Sequence, residues 1–140
     1  SYKIVVDFNA LKTIRQAARE LQRLIQKSTN VAIPIVYKPV DGYSSIFVGE
    51  SRFTKERGLY VDGLKKDHYR IVARKKDLFL LGYDDDYQDL FTLNLDQSAS
   101  AGTFFAVTGF ARRFLKANWF MPGEMNYFEN LADAKKWLFN

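Results

Sequence analysis

The stretch "YKIVVDFNALKTIRQAARELQRLIQK", residues 2–27, decides how the rest of the chain is read. Its first seven residues are rich in β-branched side chains, which pack well on a pleated surface, so "YKIVVDF" reads as a strand. Asn9 then offers a helix N-cap, and Ala10 to Lys27 keep a helical period. Leu11, Ile14, Ala18, Leu21 and Ile25 recur at steps of three and four, widened by Ala17 and Leu24 into a core-facing stripe. Lys12, Arg15, Arg19, Arg23 and Lys27 occupy the opposite side. A strand that runs straight into an amphipathic helix needs a sheet for that helix to cover.

The following segments supply one. "VAIPIVY" (residues 31–37) reads as a second strand, and Pro34, which lacks an N–H, puts it at a sheet edge or a bulge. "KPVDGYS" is a turn before the apolar "SIFVGES". A short helical "RFTKERG" follows and is stopped by Gly58 as a left-handed cap. "HYRIVARKKDLFLLGY" (residues 68–83) reads as a hairpin joined at Lys75-Lys76-Asp77. "DDDYQDLFTLNLDQSAS" has no clear period and reads as a long loop. After Gly102 the helical period returns in Phe105, Val107, Phe110, Ala111, Phe114 and Leu115, with Thr103 near its start. The order predicts an α+β fold, a mixed β-sheet with two main helices packed on it.

Composition bounds the function. One domain of 140 residues can bury about two thirds of its unfolded surface. With no cysteine, thiolate chemistry, disulfides and Cys-based zinc sites are excluded. No apolar run approaches the ~20 residues of a membrane helix, and no signal peptide precedes the first strand. A chain that begins within a strand is expected to be a domain cut from a longer protein. The net charge of +5 is uneven. Residues 1–76 hold 16 Lys and Arg against seven Asp and Glu, and residues 77–140 hold five against nine. A bipolar surface argues against nucleic acid, which selects a continuous basic face. The basic stripe of the first helix reads as a solvated face.

Sites with convergent chemistry are scarce. The single His68 excludes centres that need two histidines, and no G-x-S-x-G elbow or phosphate-binding glycine loop occurs. Asp84, Asp85, Asp86 and Asp89 are the best metal candidate, a weak one for calcium. Calcium takes several loop oxygens, but this spacing is not that of a calcium loop, and adjacent aspartates point in different directions. A solvated acidic loop is the plainer reading, and no cofactor is expected. Glycoside hydrolysis needs two carboxylates about 5 to 9.5 Å apart. Glu124, in "NWFMPGE", is one candidate, with Glu50 or Asp84 at strand ends as its partner. Nothing in the spacing demands the pair.

Taken together, "YKIVV", "AARELQRLI", "VAIPIV", "SIFVGES", "HYRIVARKKDLFLLG", an Asp-rich loop, "SAGTFFAVTGFARRFL" and "NWFMPGE" come in a familiar order. The set resembles the N-terminal, non-catalytic domain of alpha-glucuronidases, and the similar domain before the barrel of beta-N-acetylhexosaminidases. The resemblance covers about residues 2–124. It implies an α+β layer lying against a downstream (β/α)8 barrel that carries the catalytic carboxylates. It further implies a parent glycoside hydrolase, typically bacterial and secreted, periplasmic or at the cell surface.

Residues 1–124 are therefore expected to form the accessory domain. Residues 125–140 are expected to be a C-terminal extension or the start of a linker, helical in part, because "MNYFENLADAKKWLFN" departs from the extended segment usual in the family. In "NWFMPGE", Trp119 and Phe120 are large enough to be buried, Pro122 stops the helix, Gly123 permits the turn and Glu124 faces outward. This corner reads as structural or as an interface. The function expected is a non-catalytic brace for a downstream catalytic domain. The alternative is a stand-alone carbohydrate-binding module with glycan as its partner. Neither nucleic acid nor membrane insertion is expected.

Overall fold

Residues 2–65, 68–85 and 101–115, and the backbone of residues 125–130, are described by a computed structural model of the chain. Along the chain come β1 (Tyr2–Val5), α1 (Lys12–Thr29), β2 (Ile35–Val36), β3 (Ser44–Val48), α2 (Arg52–Glu56), β4 (His68–Arg74), β5 (Asp77–Gly82), α3 (Gly102–Phe114) and β6 (Met125–Asn130). The strands form one mixed sheet in the order β2-β1-β3-β5-β4-β6. β2, β1, β3 and β5 run parallel, while β4 is antiparallel to both β5 and β6.

Period-two alternation splits the strand side chains between two cores. Ile4, Ile46, Ile71, Leu78 and Leu80 face α1 and α3, where they meet Ala17, Leu21, Ile25, Ala106, Val107 and Phe110. Val5, Phe47, Val72, Phe79 and Leu81 face the other way and pack with Leu59 and with Phe53 of α2. Strands covered on both faces are apolar almost throughout, which is why "SIFV" and "LFLL" show no polar alternation. Each fully buried Leu, Ile or Phe contributes about 1.5–3 kcal/mol of transfer free energy. On the second face the Phe47 and Phe79 rings stack at 4.9 Å. The Arg57 and Arg74 guanidinium groups lie 5.1 Å and 5.9 Å from those rings.

The expected α+β fold is observed, with α1 and α3 as its two long helices. β2 is indeed an edge strand. It is only Ile35–Val36, because Pro34 contributes no N–H and joins the sheet through its carbonyl, which accepts from Ile4 N–H at 2.9 Å. Gly58 has φ +75° just past α2, as a left-handed cap requires.

Two expectations are corrected. Asn9 does not cap α1, since Leu11 stands at the N-cap with no side-chain bond. Asp7 holds the chain out of the helix first: its Oδ1 accepts from Asn9 N–H at 2.8 Å and its carbonyl from Ala10 N–H at 3.0 Å. The second concerns residues 125–130, since residues 131–140, the rest of the expected extension, lie outside the described residues. Met125–Asn130 form a strand rather than a helix, paired with β4 from His68↔Asn130 to Ala73↔Met125. β4 would otherwise present a bare row of N–H and C=O groups, and this pairing satisfies them. The sheet therefore extends beyond residue 124.

Candidate functional site

The parallel part of the sheet brings three carboxylates to one end. Asp7, Glu50 and Asp84 each lie two residues beyond the last residue of β1, β3 and β5, which are adjacent strands. They line an open cleft of about 490 Å³, together with Asn9 and Leu11, which precede α1, and Ile14 within it. Gly49, at φ +79°, lets the end of β3 pass close to this helix, for a β-carbon there would come within 2.7 Å of Ile14 Cγ2.

Each carboxylate is held by a backbone N–H. Asp7 Oδ1 takes that of Asn9, as described above. Glu50 Oε2 accepts from Val61 N–H at 2.8 Å, while its Oε1 lies 3.5 Å from Lys55 Nζ. Asp84 Oδ1 accepts from Thr103 N–H at 3.2 Å, and the Thr103 hydroxyl donates to Asp84 Oδ2. The Asp84 residue is half-buried overall, yet its carboxyl is enclosed, and burial pushes its pKa up to about 7. The two bonds from Thr103 oppose that rise, and the neighbouring Asp85 adds to it.

The strand end and the helix start are fused around Asp84. Its backbone bridges Ala101, and Gly102 N–H donates to the Tyr83 carbonyl at 2.7 Å. A carboxyl that titrates near neutrality has the pKa that general acid catalysis uses. Here both of its oxygens are engaged by Thr103, which makes it a clamp between β5 and α3.

Of the candidates expected from sequence, the structure brings Glu50 and Asp84 to one cleft. Trp119, Phe120, Pro122, Gly123 and Glu124 lie outside the described residues, as do Asp86 and Asp89. Asp84 turns onto Thr103, and among the described residues no group of three His, Cys, Asp or Glu is arranged to hold a metal ion. His68 is a half-buried position of β4 whose carbonyl accepts from Tyr83 N–H at 3.2 Å. The stripe from Lys12 to Lys27 is exposed, with Arg23 paired to Glu20 at 2.6 Å. Among the described residues no helix is long and apolar enough to cross a membrane. Asp7 and Asn9 were missed as site residues. Their one sequence signal is the polar break "DFN" directly after an apolar strand.

The fold has relatives among solved structures. It is similar to part of a family GH115 4-O-methyl-alpha-glucuronidase with specificity for decorated arabinogalactans, at 15% identity and a TM-score of 0.64. That match covers 93% of this chain and 18% of the enzyme. A GH138 enzyme targeting pectin rhamnogalacturonan II matches at 11% identity and a TM-score of 0.47, over 80% of this chain and 13% of its own. No family model and no curated protein matches the chain.

Proposed function

We propose that this chain is a non-catalytic accessory domain of a larger glycoside hydrolase-like protein of polysaccharide metabolism, packed against a catalytic domain of the same polypeptide. The observation that carries the reading is one of proportion. Nearly all of this fold, 93% of it, corresponds to 18% of a much longer glycosidase chain. The cleft supports it too, because both oxygens of Asp84 are engaged by Thr103, which suits a structural clamp better than a catalytic acid. The catalytic pair would then come from elsewhere in the parent, which we propose is an exported bacterial protein.

Expression of the complete reading frame with and without residues 1–140 tests this. The whole protein should cleave glycosidic bonds, the 140-residue chain alone should not, and the deletion should lower the melting temperature of what remains. Hydrolysis by the 140-residue chain alone, abolished by Glu50→Gln, would overturn the reading.

A further inference from the structure

The cleft lies at a particular place in the topology. From β1 the chain goes to β2 on one side, and β3 then takes the other side of β1. In open sheets of parallel strands, segments leaving the carboxyl ends diverge at such a reversal, and the crevice left between them is where ligands bind. The volume of about 490 Å³ is within the ~300–1,000 Å³ range of small-molecule sites.

Exposed rings adjoin the lining of that crevice along the chain, although none of them is part of the lining. Phe8 (69% exposed), Tyr37 (54%) and Tyr60 (45%) are among the most exposed large hydrophobic residues described. Single exposed rings are ordinary, but these three share one end of the sheet. Phe8 stands between Asp7 and Asn9 of the cleft. Tyr37 follows β2, and its ring meets that of Phe8 edge-to-face at 5.3 Å, which fixes both without burying either. Tyr60 precedes Val61, the residue whose N–H holds Glu50.

We infer that the carboxyl end of the parallel strands is a binding site for uncharged sugar residues, with Phe8, Tyr37 and Tyr60 offering ring faces and Asp7, Asn9 and Glu50 accepting from hydroxyl groups. A sugar ring has an apolar C–H face, which is attracted to the negative face of an aromatic ring, and a rim of hydroxyl donors, which need acceptors. The cleft supplies the acceptors, and the exposed rings beside it supply the faces. None of the described residues lining it is Lys or Arg, and Lys55 is already drawn to Glu50, so a uronate or phosphate group would meet carboxylates first. A cationic ligand is less well served than an alcohol. Lys55 already lies beside Glu50, and burial favours the neutral form of Asp84, which lowers the negative charge that a cation would seek. This site rests on the accessory reading, since it gives the accessory domain its own hold on the polymer.

The test is titration of the isotopically labelled 140-residue chain, followed by amide NMR. The probes are neutral galactan, arabinan, xylan and glucan oligosaccharides, an oligogalacturonate, and spermidine. At least one neutral oligosaccharide should shift the amides of Phe8, Asn9 and Val61, and the oligogalacturonate should bind at least tenfold more weakly. Phe8→Ala and Tyr60→Ala should each weaken neutral binding at least tenfold with an unchanged melting temperature, because both side chains are exposed. Tighter binding of spermidine or oligogalacturonate, silence across the neutral panel, or ring variants that bind like the parent would each overturn the inference. Failure here leaves the packing role to the deletion experiment, which needs no sugar binding by this chain.

Discussion

Gly82, which ends β5, and Gly102, which begins α3, approach so closely that neither has room for a side chain. A β-carbon on Gly82 would come within 2.0 Å of the Gly102 carbonyl carbon. One on Gly102 would come within 2.5 Å of Tyr83 N and 2.7 Å of the His68 carbonyl oxygen. The obstacles are backbone atoms, which cannot turn aside as a flexible side chain would. Gly82→Ala and Gly102→Ala should therefore each cost about 3 kcal/mol or more, at the upper end of overpacking effects. Gly58→Ala is the control, with φ +75° and nothing within 4 Å of an added carbon, and should cost only about 1–2 kcal/mol of backbone strain. Urea denaturation of the three variants checks the ranking, and equal losses would refute the close-approach account.

Asp84 should make stability depend on pH. Its folded pKa of about 7 lies above the usual value of 3.8, so the folded chain holds a proton that the unfolded chain releases. The contribution is fully present below about pH 4 and is lost as pH rises toward 7, with a slope of at most about 1.4 kcal/mol per pH unit. Asp84→Asn keeps an acceptor for Thr103 without the charge. Urea midpoints at pH 5 and pH 8 should therefore differ less in this variant than in the parent. Parallel pH dependences would remove Asp84 as the source.

The start of α2 is held by a reciprocal pair of buried bonds. Ser51 Oγ accepts from Thr54 N–H at 3.3 Å, and Thr54 Oγ1 accepts from Ser51 N–H at 3.0 Å. Ser51→Ala strips one buried N–H of its partner and should cost about 1–2 kcal/mol. Hydrogen exchange should quicken locally at Thr54 and Lys55. If it stays as slow as in the parent, the cap is not what holds this turn.

On the other face, Phe79→Ala removes one ring of the Phe47 stack and leaves the Arg74 guanidinium over a void. A loss of about 3–5 kcal/mol is expected, as for other buried aromatic truncations. Phe79→Leu keeps most of the volume and should recover more than half of it. Equal losses in the two variants would mean that the ring stack, rather than filled volume, is the larger contribution.

Legibility in the sequence followed the range of the interaction responsible. The stripe from Leu11 to Ile25 needs only helical spacing, and the β4–β5 hairpin only two apolar runs close together, so both were readable. The turn expected at Lys75-Lys76-Asp77 is one residue shorter, because Asp77 already pairs with Arg74, and Lys75 and Lys76 take φ of 51° and 69° to close it. β6 was not readable. "MNYFEN" mixes strand and turn formers, and what makes it a strand is the free side of β4, more than fifty residues earlier. The cleft was half readable. Glu50 and Asp84 stood out as acids at strand ends, but strand order alone makes them neighbours of Asp7. The Asp84–Thr103 bond spans 19 residues and leaves no local trace.

The pairing of β6 with β4 also sets an order of events. During synthesis β4 and β5 emerge together and can close at once, but the outer side of β4 has no partner until residue 130 has left the ribosome. Over that interval six positions of β4 are a template for any extended chain nearby. A fragment ending at residue 124 would carry the same exposed template permanently. It should associate with copies of itself, whereas a fragment that retains Met125–Asn130 closes its own edge.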